Sequence, residues 1–585
     1  MIDVTLLYNK SNPFGISKDV EAIRAALGGA GYTLRESDPL EPPVATDIAI
    51  HLEIPIYSWM PWAARNVLMV NPEWFETAWL PYMPRFDLVL YKDGAARSAA
   101  IAAGHVTEAQ ARLVPWGCPP LEPPPKGKKV PVGDANTGFV WFLGGSKNKR
   151  AAVAPLLTAW RESYPPLRIY TTEPMPDLSG GVGADAMPPN VRIEVRDLDA
   201  PTRLALARFF RGHVACSRAE GFGYTAAEAE WVGAYTILSD LPVYQQDYAA
   251  EPGAAILPPT DAGQDFDDAV AATVAEFERT DFAALARVRQ MRAAERWDTF
   301  CAGFLAAIQS LGQPKKAKHM PPILQPADCP PISVVTLLYN RRKFFDLACH
   351  SLMIQDYPKD KIEWIIVEDS DDPAEDASDR VMAVAAQAAP VRVVYVPLKK
   401  KRTVGAKRNL GVEKATADIV LMMDDDDHYP ETSFRRRVAW LTAHPWQPQA
   451  VAATTIACYD LVNGVSAVNS PPLQLPLAQR ISEATLAFRR SWWQARPFPA
   501  DVQVGEGESL LAAREADLLE IPPQQAIVAF SHGKNTSSRR LPSGEGLKPG
   551  CFWGFPAPFL KFVHGLAGVD VVEDKESGTK GKKKA

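Results

Sequence analysis

Residues 418–428 carry the feature that most constrains how this chain can fold. An apolar run, Ile-Val-Leu-Met-Met, leads directly into four consecutive aspartates at positions 424–427 and then His428. The run predicts a buried strand, and burying four adjacent carboxylates without partners would cost several kcal/mol. A divalent cation removes that cost, because hard cations bind carboxylate oxygens and often keep a substrate phosphate among their ligands. Since ligands bind at the carboxyl ends of strands in open α/β sheets, the segment predicts a site for a metal–diphosphate complex.

Composition bounds the class of protein. The chain has 585 residues, 47% of them apolar, which allows about three or four domains with large cores. Its net charge of -6 argues against a nucleic-acid coat. Seven scattered cysteines without a Cys-x-x-Cys pair predict reduced thiols in a cytoplasmic protein, not disulfides or a zinc site. We expect neither a signal peptide nor a transmembrane span, since no apolar run reaches about 18 residues.

A repeated hexapeptide marks the organisation of the chain. Val-Thr-Leu-Leu-Tyr-Asn occurs at residues 4–9 and again at 335–340, each time as an apolar run before a polar turn. The two copies predict the first strands of two separate nucleotide-binding sheets, with coincidence between two β-rich segments as the alternative. Strands alternate with helical stretches, which is the α/β pattern, and Pro- and Lys-rich breaks separate the parts. The predicted parts are two N-terminal lobes (1–128 and 129–312), a linker (313–330), a C-terminal domain (331–545) and an aromatic, Lys-rich tail (546–585).

Two further motifs accompany the aspartates in the C-terminal half. Trp-Ile-Ile-Val leads into Glu368, Asp369 and Ser370, a second apolar strand that ends in acids. Gly-Ala-Lys-Arg408-Asn-Leu-Gly opens a predicted helix, where its cations can meet a phosphate. Successive strands with acidic carboxyl ends predict one sheet with a single ligand-binding edge.

With these motifs, residues 332–540 resemble the family-2 glycosyltransferases of the GT-A fold. The family pattern matches Val-Glu368-Asp369-Ser, Arg408-Asn-Leu-Gly and Asp424-Asp-Asp426. The resemblance implies Mn²⁺ or Mg²⁺ as cofactor, which would neutralise the departing nucleoside diphosphate, with Asp425 and Asp427 only flanking the metal site. His532 resembles a late metal-binding histidine of the fold, and a histidine in a turn stays open as the alternative. The implied donor-binding residues are Thr336, Glu368, Asp369, Arg408 and Asp424, and the implied metal ligands are Asp424, Asp426 and His532.

The segment Gly-Glu506-Gly-Glu508 resembles the Glu-Asp pair in which this family keeps its base. A carboxylate within hydrogen-bond reach of the acceptor hydroxyl is what direct displacement requires. Gly507 interrupts the pair, so both Glu506 and Glu508 remain candidates for the catalytic base.

The N-terminal half contains a glycine-rich turn between a predicted strand and helix, Glu220-Gly-Phe-Gly-Tyr-Thr-Ala-Ala-Glu228. Glycines let a backbone approach its ligand, and the N-terminus of a helix offers N–H groups to a phosphate. The stretch resembles the Glu-x(7)-Glu signature of the family-4 retaining glycosyltransferases of the GT-B fold. That resemblance implies catalytic Glu220 at the donor sugar, Glu228 at the ribose and no metal, while a helix cap and a surface acid are the alternative. The further implied donor contacts are Gly15, Lys149, Arg150, Gly221, Phe222 and Gly223.

The combined prediction is an α/β protein in which a GT-B unit of two Rossmann-like domains precedes a GT-A domain. Such a chain would be a bifunctional glycosyltransferase that uses nucleotide sugars to extend a glycan, lipid-linked or protein acceptor. In one alternative, only one half is catalytic and the other binds the acceptor. In another, the acceptor is a hydroxylated base of nucleic acid, contacted by the basic residues 399–402. The aromatic tail is predicted to be a strap across the catalytic domain, with peripheral membrane contact as the alternative.

Overall fold

The computed structural model describes residues 1–11, 15–39, 41, 43–72, 75–121, 137–144, 147–173, 187–313, 323–522, 526–532, 535 and 553–569. The chain forms two compact units. The first comprises Met1–Phe75 and Met83–Ala317, and the second comprises Glu76–Tyr82 and Lys318–Ala585. The division falls inside the predicted linker, whereas residues 76–82, expected in the first lobe, group with the second unit.

The first unit opens with a six-stranded sheet whose neighbouring strands are all parallel. Val4, Leu6, Ile48 and Ile50 at its centre are buried, as expected for parallel strands. Its strands are β1 (Ile2–Leu7), β2 (Tyr32–Ser37), β3 (Thr46–Leu52), β4 (Ala63–Met69), β5 (Leu88–Tyr91) and β6 (Ala111–Leu113), with helices α1 (Ile16–Leu27) and α2 (Gly94–Ala102). The strand order is β2-β1-β3-β4-β5-β6.

A second six-stranded parallel sheet follows in the same unit. Its strands are β7 (Phe139–Leu143), β8 (Leu167–Thr171), β9 (Val191–Val195), β10 (Gly212–Ala215), β11 (Tyr235–Ser239) and β12 (Ala254–Leu257). Its helices are α3 (Lys147–Arg150), α4 (Val153–Ala159), α5 (Ala200–Phe209), α6 (Tyr224–Val232), α7 (Pro242–Tyr248), α8 (Gln264–Glu278) and α9 (Phe282–Gln309). The strand order is β12-β11-β10-β7-β8-β9.

Helix α9 joins the two lobes of the first unit. Near its start, Leu285 packs into the core of the second sheet, while Phe300 and Phe304 pack into the core of the first. The helix therefore returns from the second lobe to the first. Two Rossmann-like sheets closed by such a helix confirm the predicted fold class of the N-terminal half.

The second unit is built on a seven-stranded mixed sheet with a four-stranded sheet beside it. Its strands are β13 (Ile332–Leu338), β14 (Ile362–Glu368), β15 (Arg392–Pro397), β16 (Ile419–Met422), β17 (Asp427–His428), β18 (Ala450–Ala452), β19 (Ile456–Asp460), β20 (Val465–Asn469), β21 (Ala487–Arg489), β22 (Leu518–Glu520) and β23 (Val528–Ser531). Its helices are α10 (Phe345–Met353), α11 (Ser378–Gln387), α12 (Val404–Lys414), α13 (Ser433–Thr442), α14 (Arg490–Ala495), α15 (Glu506–Leu511) and α16 (Ala557–Ala567). The strand orders are β15-β14-β13-β16-β21-β18-β22 and β17-β23-β19-β20.

The topology of the larger sheet creates the predicted ligand-binding edge. Strands β15, β14, β13 and β16 are parallel neighbours, so the acidic ends of β14 and β16 and the end of β13 share one edge. Both copies of the hexapeptide begin inside β1 and β13, which confirms that each opens a separate sheet. The mixed sheet, in which β21 runs antiparallel to β16 and β18, confirms the fold class predicted for the C-terminal half.

Helix α16 lies in the predicted tail. Phe555, Phe559 and Val563 pack with Phe530 of β23 and Leu347 of α10 in one apolar cluster. This part of the tail therefore covers the strand that precedes His532, as expected of a strap. Among the described residues, no helix is long and apolar enough to span a bilayer.

Candidate active sites

The second unit contains an open cavity of about 460 Å³. Leu337 and Tyr339, at the end of β13, and Asp424, just after β16, place it at the carboxyl edge of the mixed sheet. Its charged lining comes from seven further side chains: Arg341, Lys407, Arg408, Asp425, Arg480, Glu483 and Glu506. Apolar and amide side chains from β19, β20 and the following loop, including Ile456, Asn469, Pro471 and Gln479, line the rest.

The four aspartates after β16 point to different partners. Asp424 is partly exposed and lines the cavity, and its Oδ1 lies 3.6 Å from Nη2 of Arg408. Asp427 is fully buried and accepts a hydrogen bond of 3.1 Å from the backbone N–H of Phe530, so it ties β17 to β23. The last aspartate, expected to flank the metal site, therefore supports the backbone.

Asp425 and Asp426 share one cation. Nη1 of Arg341 donates to Asp425 Oδ1 at 3.0 Å and to Asp426 Oδ2 at 2.7 Å. Burial raises the pKa of Asp425, and so do Asp426 and Asp424, although Arg341 opposes the shift. Asp425 was expected only to flank the site, yet it lines the cavity, whereas Asp426 is not among the lining residues.

Asp426 and His532 meet as the sequence predicted. His532 Nε2 lies 3.1 Å from Asp426 Oδ2, and the imidazole stacks on Phe344 with ring centroids 4.3 Å apart. Asn535 Nδ2 also contacts Asp426 Oδ2, at 3.2 Å. The structure brings this predicted metal-ligand pair together, while Asp424 faces the cavity beside it.

The donor chemistry of this corner fits a hard divalent cation. Asp424 presents a carboxylate to the cavity, and Oδ2 of the buried Asp425 has no hydrogen-bond partner among the described residues. An orphaned carboxylate oxygen next to a cavity is a ligand that Mg²⁺ or Mn²⁺ accepts readily. In the part of the chain that is described, no three His, Cys, Asp or Glu side chains already form a closed metal set.

Arg408, predicted to bind the donor, is buried between acids. Its Nε donates to Glu506 Oε1 at 2.7 Å, and both side chains are 5% exposed. Although burial opposes it, Glu506, Asp424 and Glu483 raise the pKa of Arg408. Arg408 Nη1 has no hydrogen-bond partner among the described residues, so a donor N–H remains for a ligand in the cavity.

Of the two candidate bases, Glu506 lines the cavity and Glu508 does not. Glu506 opens α15 after Gly505, whose φ of 76° turns the chain into the helix, and it lines the cavity. Glu508 is exposed, accepts a hydrogen bond of 2.7 Å from Gln479 Nε2 and is not among the lining residues. Sequence inspection missed Glu483, which lines the cavity beside Glu506 and lies 23 positions before it.

The remaining predicted donor residues of this unit support the edge of the sheet. Asp369 accepts hydrogen bonds from Lys407 Nζ at 2.6 Å and from the backbone N–H of Arg402 at 2.8 Å. Burial lowers the pKa of Lys407, against the attraction of Asp369. Asp369 thus presents Lys407 to the cavity, since Lys407 itself is a lining residue.

Glu368 and Thr336 are engaged inside the protein. Glu368 accepts hydrogen bonds from Ser370 Oγ (2.7 Å), the Ala377 backbone N–H (2.8 Å) and Tyr395 Oη (2.8 Å). Thr336 is fully buried, and its Oγ1 accepts the indole N–H of Trp364 at 2.9 Å. Neither belongs to the described lining of the cavity, so both hold the loop and the strand in place.

In the first unit, the glycine-rich turn connects β10 to α6 as predicted. Gly223 has φ 84°, and a Cβ there would lie 2.5 Å from Tyr244, so only glycine fits. A Cβ on Gly221 would lie 2.5 Å from Oδ1 of Asn71, which belongs to the first lobe. The two glycines therefore allow the turn to pack tightly against its neighbours.

The two glutamates of the predicted signature both contact cations. Glu220 Oε1 lies 3.3 Å from Lys149 Nζ. Glu228 Oε2 lies 2.8 Å from Arg203 Nη2, and Glu228 also pairs with Lys18 of α1. The structure thus gathers Glu220 and Lys149 at one turn, and it ties Glu228 to the first lobe.

Three other predicted donor contacts of this unit have different surroundings. Phe222 is buried in the core of the first lobe, where its side chain packs with apolar residues. Arg150 Nη2 donates to Glu173 at 2.5 Å. Gly15 precedes α1 and would place a Cβ in ordinary contact with Tyr224.

A buried network between the two lobes escaped the sequence analysis. Lys92 Nζ lies 2.9 Å and 3.0 Å from the two Asp19 oxygens, and its ammonium is 4.5 Å from the Trp116 ring centroid. Tyr224 Oη donates to Asp19 at 2.8 Å and accepts from Trp116 Nε1 at 2.9 Å. These residues are far apart in sequence, so no local pattern signals the network.

Comparison with known proteins gives one family match. Residues 333–463 match the model of glycosyl transferase family 2. Curated proteins gave no match. Similar solved structures include the mannosyltransferase PcManGT from Pyrobaculum calidifontis in complex with GDP-Man and Mn²⁺, at 19% identity over 36% of this chain and 60% of that chain, with a TM-score of 0.28.

Two further solved structures cover a larger share of the chain. Sucrose-phosphate synthase from Thermosynechococcus elongatus is 16% identical over 53% of this chain and 97% of that chain, with a TM-score of 0.38. HepE from Anabaena, in complex with UDP and glucose, is 13% identical over 53% and 100%, with a TM-score of 0.39. The chain spans 60% of the mannosyltransferase and 37% of TarS from S. aureus, and at such TM-scores the ligands of these proteins indicate nothing about this one.

The family match covers β13, β14 and β16, whose carboxyl ends carry the acids and cations described above. Residues 333–463 therefore match the glycosyl transferase family 2 model, and they lie within the second unit.

Proposed function

We propose that the C-terminal unit transfers a sugar from a nucleotide donor to an acceptor hydroxyl, with inversion and with a divalent cation. The cavity at the carboxyl edge of the mixed sheet carries this proposal, because it combines Asp424 and Asp425 with Lys407 and Arg408. Two carboxylates suit a cation, and two cationic side chains suit the diphosphate that the cation accompanies.

Each group has a defined task in this proposal. Asp424 and Asp425 would hold Mn²⁺ or Mg²⁺, which supplies Lewis-acid stabilisation of the leaving diphosphate, and Asp426 and His532 would support them. Arg408 would donate its spare Nη1–H to a phosphate oxygen. Lys407, held by Asp369, would add a second positive charge.

A panel of nucleotide sugars, read by mass spectrometry with and without Mn²⁺, tests this function. We expect Asp424→Asn to abolish cation-dependent transfer or donor hydrolysis. Glu413→Gln, which changes an exposed acid on α12, is the matched control and keeps the wild-type rate. Wild-type protein that consumes no donor under any condition would refute the proposal.

The N-terminal unit is the second candidate site, for retaining transfer without a metal. The contact between Glu220 and Lys149 beside the glycine-rich turn favours it, since an acid and a phosphate-binding cation would flank one donor. We expect Glu220→Gln to remove one product of the panel and leave the Asp424-dependent product intact. The exposed Glu278→Gln on α8 serves as its control.

Two outcomes would redirect the proposal. If Glu220→Gln changes no product, the N-terminal unit is an acceptor-binding module instead of a second enzyme. The exposed basic residues 399–402 would be the contacts for a nucleic-acid acceptor. They lie beside the cavity, since the Lys401 ammonium is 3.7 Å from the ring centroid of the lining residue Tyr339. Binding of labelled duplex DNA that weakens steeply with salt would support that acceptor.

A further inference from the structure

Glu483 lines the C-terminal cavity, although it belongs to none of the sequence motifs described above. It opens a short 3-10 turn, Glu483–Thr485, immediately before β21. Its side chain lines the cavity together with Glu506. Its Oε1 accepts a hydrogen bond of 3.2 Å from the backbone N–H of Gly507. Glu483 therefore sits directly against the start of α15.

Gly507 is the residue that makes this contact possible. A Cβ at position 507 would lie 2.7 Å from Glu483 Oε1 and 2.8 Å from Glu483 Cγ, closer than real Cβ atoms approach. Any other residue would push the Glu483 carboxylate away from the helix. This explains why a glycine stands between Glu506 and Glu508: a side chain at position 507 would occupy the space of the Glu483 carboxylate.

The two cavity glutamates differ in their partners. Glu506 is held by Arg408 Nε at 2.7 Å in a buried pair. Protonating Glu506 would forfeit that buried ion pair, which is costly. Glu483 accepts its one described hydrogen bond from a backbone amide. A proton on its second oxygen would break no ion pair.

Burial and the charge of Glu506 on α15 together raise the pKa of Glu483 against the charge of Arg408 on α12. A general base works best when its pKa lies near the working pH, because it must take a proton and later release it. Glu483 therefore combines access to the cavity with an elevated proton affinity.

We propose that Glu483 is the catalytic base of the C-terminal unit and that Glu506, with Arg408, is a positioning residue. The inference rests on the proposed transferase function of this cavity. The acceptor hydroxyl gives its proton to a Glu483 carboxylate oxygen while its oxygen forms the bond to the anomeric carbon. The bond from that carbon to the diphosphate oxygen breaks, and its electron pair leaves with the nucleoside diphosphate.

The test compares Glu483→Gln, Glu506→Gln and Glu508→Gln in the full-length protein, with the exposed Glu413→Gln as control. With the donor found in the panel, we expect Glu483→Gln to lower kcat by about 100-fold or more. Titration calorimetry with UDP and GDP in the presence of Mn²⁺ reports whether the variant still folds and binds, and we expect unchanged affinity. Glu506→Gln retains the acidic limb of the kcat–pH profile, whereas Glu483→Gln loses it.

The opposite assignment has a distinct signature. Loss of the acidic limb in Glu506→Gln or Glu508→Gln, with Glu483→Gln near the wild-type rate, would overturn the inference and leave the transferase function standing. Gly507→Ala gives a second check, because it displaces Glu483 without removing any carboxylate, and we expect kcat to fall while nucleotide affinity holds.

An infrared titration makes the inference testable even if the wild-type protein transfers no sugar. The carbonyl stretch of a protonated carboxyl group should titrate near neutral pH in the wild type and in Glu508→Gln, and its amplitude should fall in Glu483→Gln. An unchanged amplitude in Glu483→Gln would refute the elevated proton affinity on which the assignment depends. Inactivity of the wild type would refute the transferase function separately.

Discussion

Removing the buried guanidinium of Arg408 should destabilise the C-terminal unit far more than removing an exposed arginine with the same contact. Arg408 and Arg392 each donate to a glutamate at 2.7 Å, Arg408 to Glu506 and Arg392 to Glu363. The Arg408 side chain is 5% exposed, whereas that of Arg392 is 65% exposed. Comparing Arg408→Met with Arg392→Met therefore tests how strongly the burial of the arginine affects stability.

The magnitudes follow from that difference. Deleting one partner of a buried ion pair costs about 3–5 kcal/mol, because the remaining charge is left without compensation. Losing Arg392 should cost about 1 kcal/mol or less, because this arginine is solvent-screened and its buried partner Glu363 keeps hydrogen bonds from Ser333 and Thr416. Arg408→Met should also lose more than average, because the cation is surrounded by Glu506, Asp424 and Glu483, all of which raise its pKa.

The loss should depend on pH in a predictable direction. The charge of Arg408 lowers the pKa of Glu483, so its removal raises that pKa further. A carboxyl group whose folded pKa lies above its unfolded value binds more protons in the folded state. Stability then falls as pH rises through the folded pKa, and it returns as pH falls below the unfolded value. The deficit of Arg408→Met should therefore shrink between neutral pH and about pH 4.

Urea denaturation followed by tryptophan fluorescence measures these free energies of unfolding. Because the chain has two units, the transitions are fitted separately and only the one that shifts is compared. Adding Glu506→Gln to Arg408→Met should recover part of the loss, since it removes one of the uncompensated charges. The reasoning is refuted if Arg408→Met costs no more than Arg392→Met, or if the deficit is the same at both pH values.

Three shorter predictions concern other parts of the chain. A chelator should stop transfer by the C-terminal unit and spare any transfer by the N-terminal unit, as measured by product mass; equal loss of both products would contradict the division of labour. Thr336→Val should lower the free energy of unfolding by about 1–3 kcal/mol, because it leaves the indole N–H of Trp364 buried without an acceptor. A loss below about 0.5 kcal/mol would show that another acceptor takes over. Gly223→Ala should weaken nucleotide binding and stability of the N-terminal unit, because φ 84° and the Tyr244 ring leave no room for a Cβ; unchanged melting and binding would show that the turn can shift.

The sequence predicted features that depend on local pattern. An apolar run that ends in acids defines β14 and β16, and the repeated hexapeptide defines β1 and β13. Because parallel strands align their carboxyl ends, the shared edge followed from these patterns without knowledge of tertiary contacts. The glycine-rich turn before α6 was predictable for the same reason, since only glycine adopts its backbone conformation freely.

Features that depend on distant contacts were not predictable. Arg341 follows β13, yet it pairs with aspartates 84 and 85 positions later. Phe222 lies inside the predicted donor-binding motif, yet its ring belongs to the core of the first lobe. Asp425 and Asp426 are adjacent, so the sequence has no means of deciding which one faces the cavity. Such assignments depend on the direction in which each side chain leaves the backbone after the strand has ended.

Glu483 differs from the other acids of the C-terminal cavity in its hydrogen-bond partner. Arg341 pairs with Asp425, Lys407 with Asp369 through a buried contact, and Arg408 with Glu506. Each of these carboxylates would lose its ion pair if it took up a proton. Glu483 faces the same cavity but is hydrogen-bonded, among the described residues, through a backbone amide. Under the proposed mechanism, the acceptor proton therefore passes to Glu483, which can accept it without breaking one of these ion pairs.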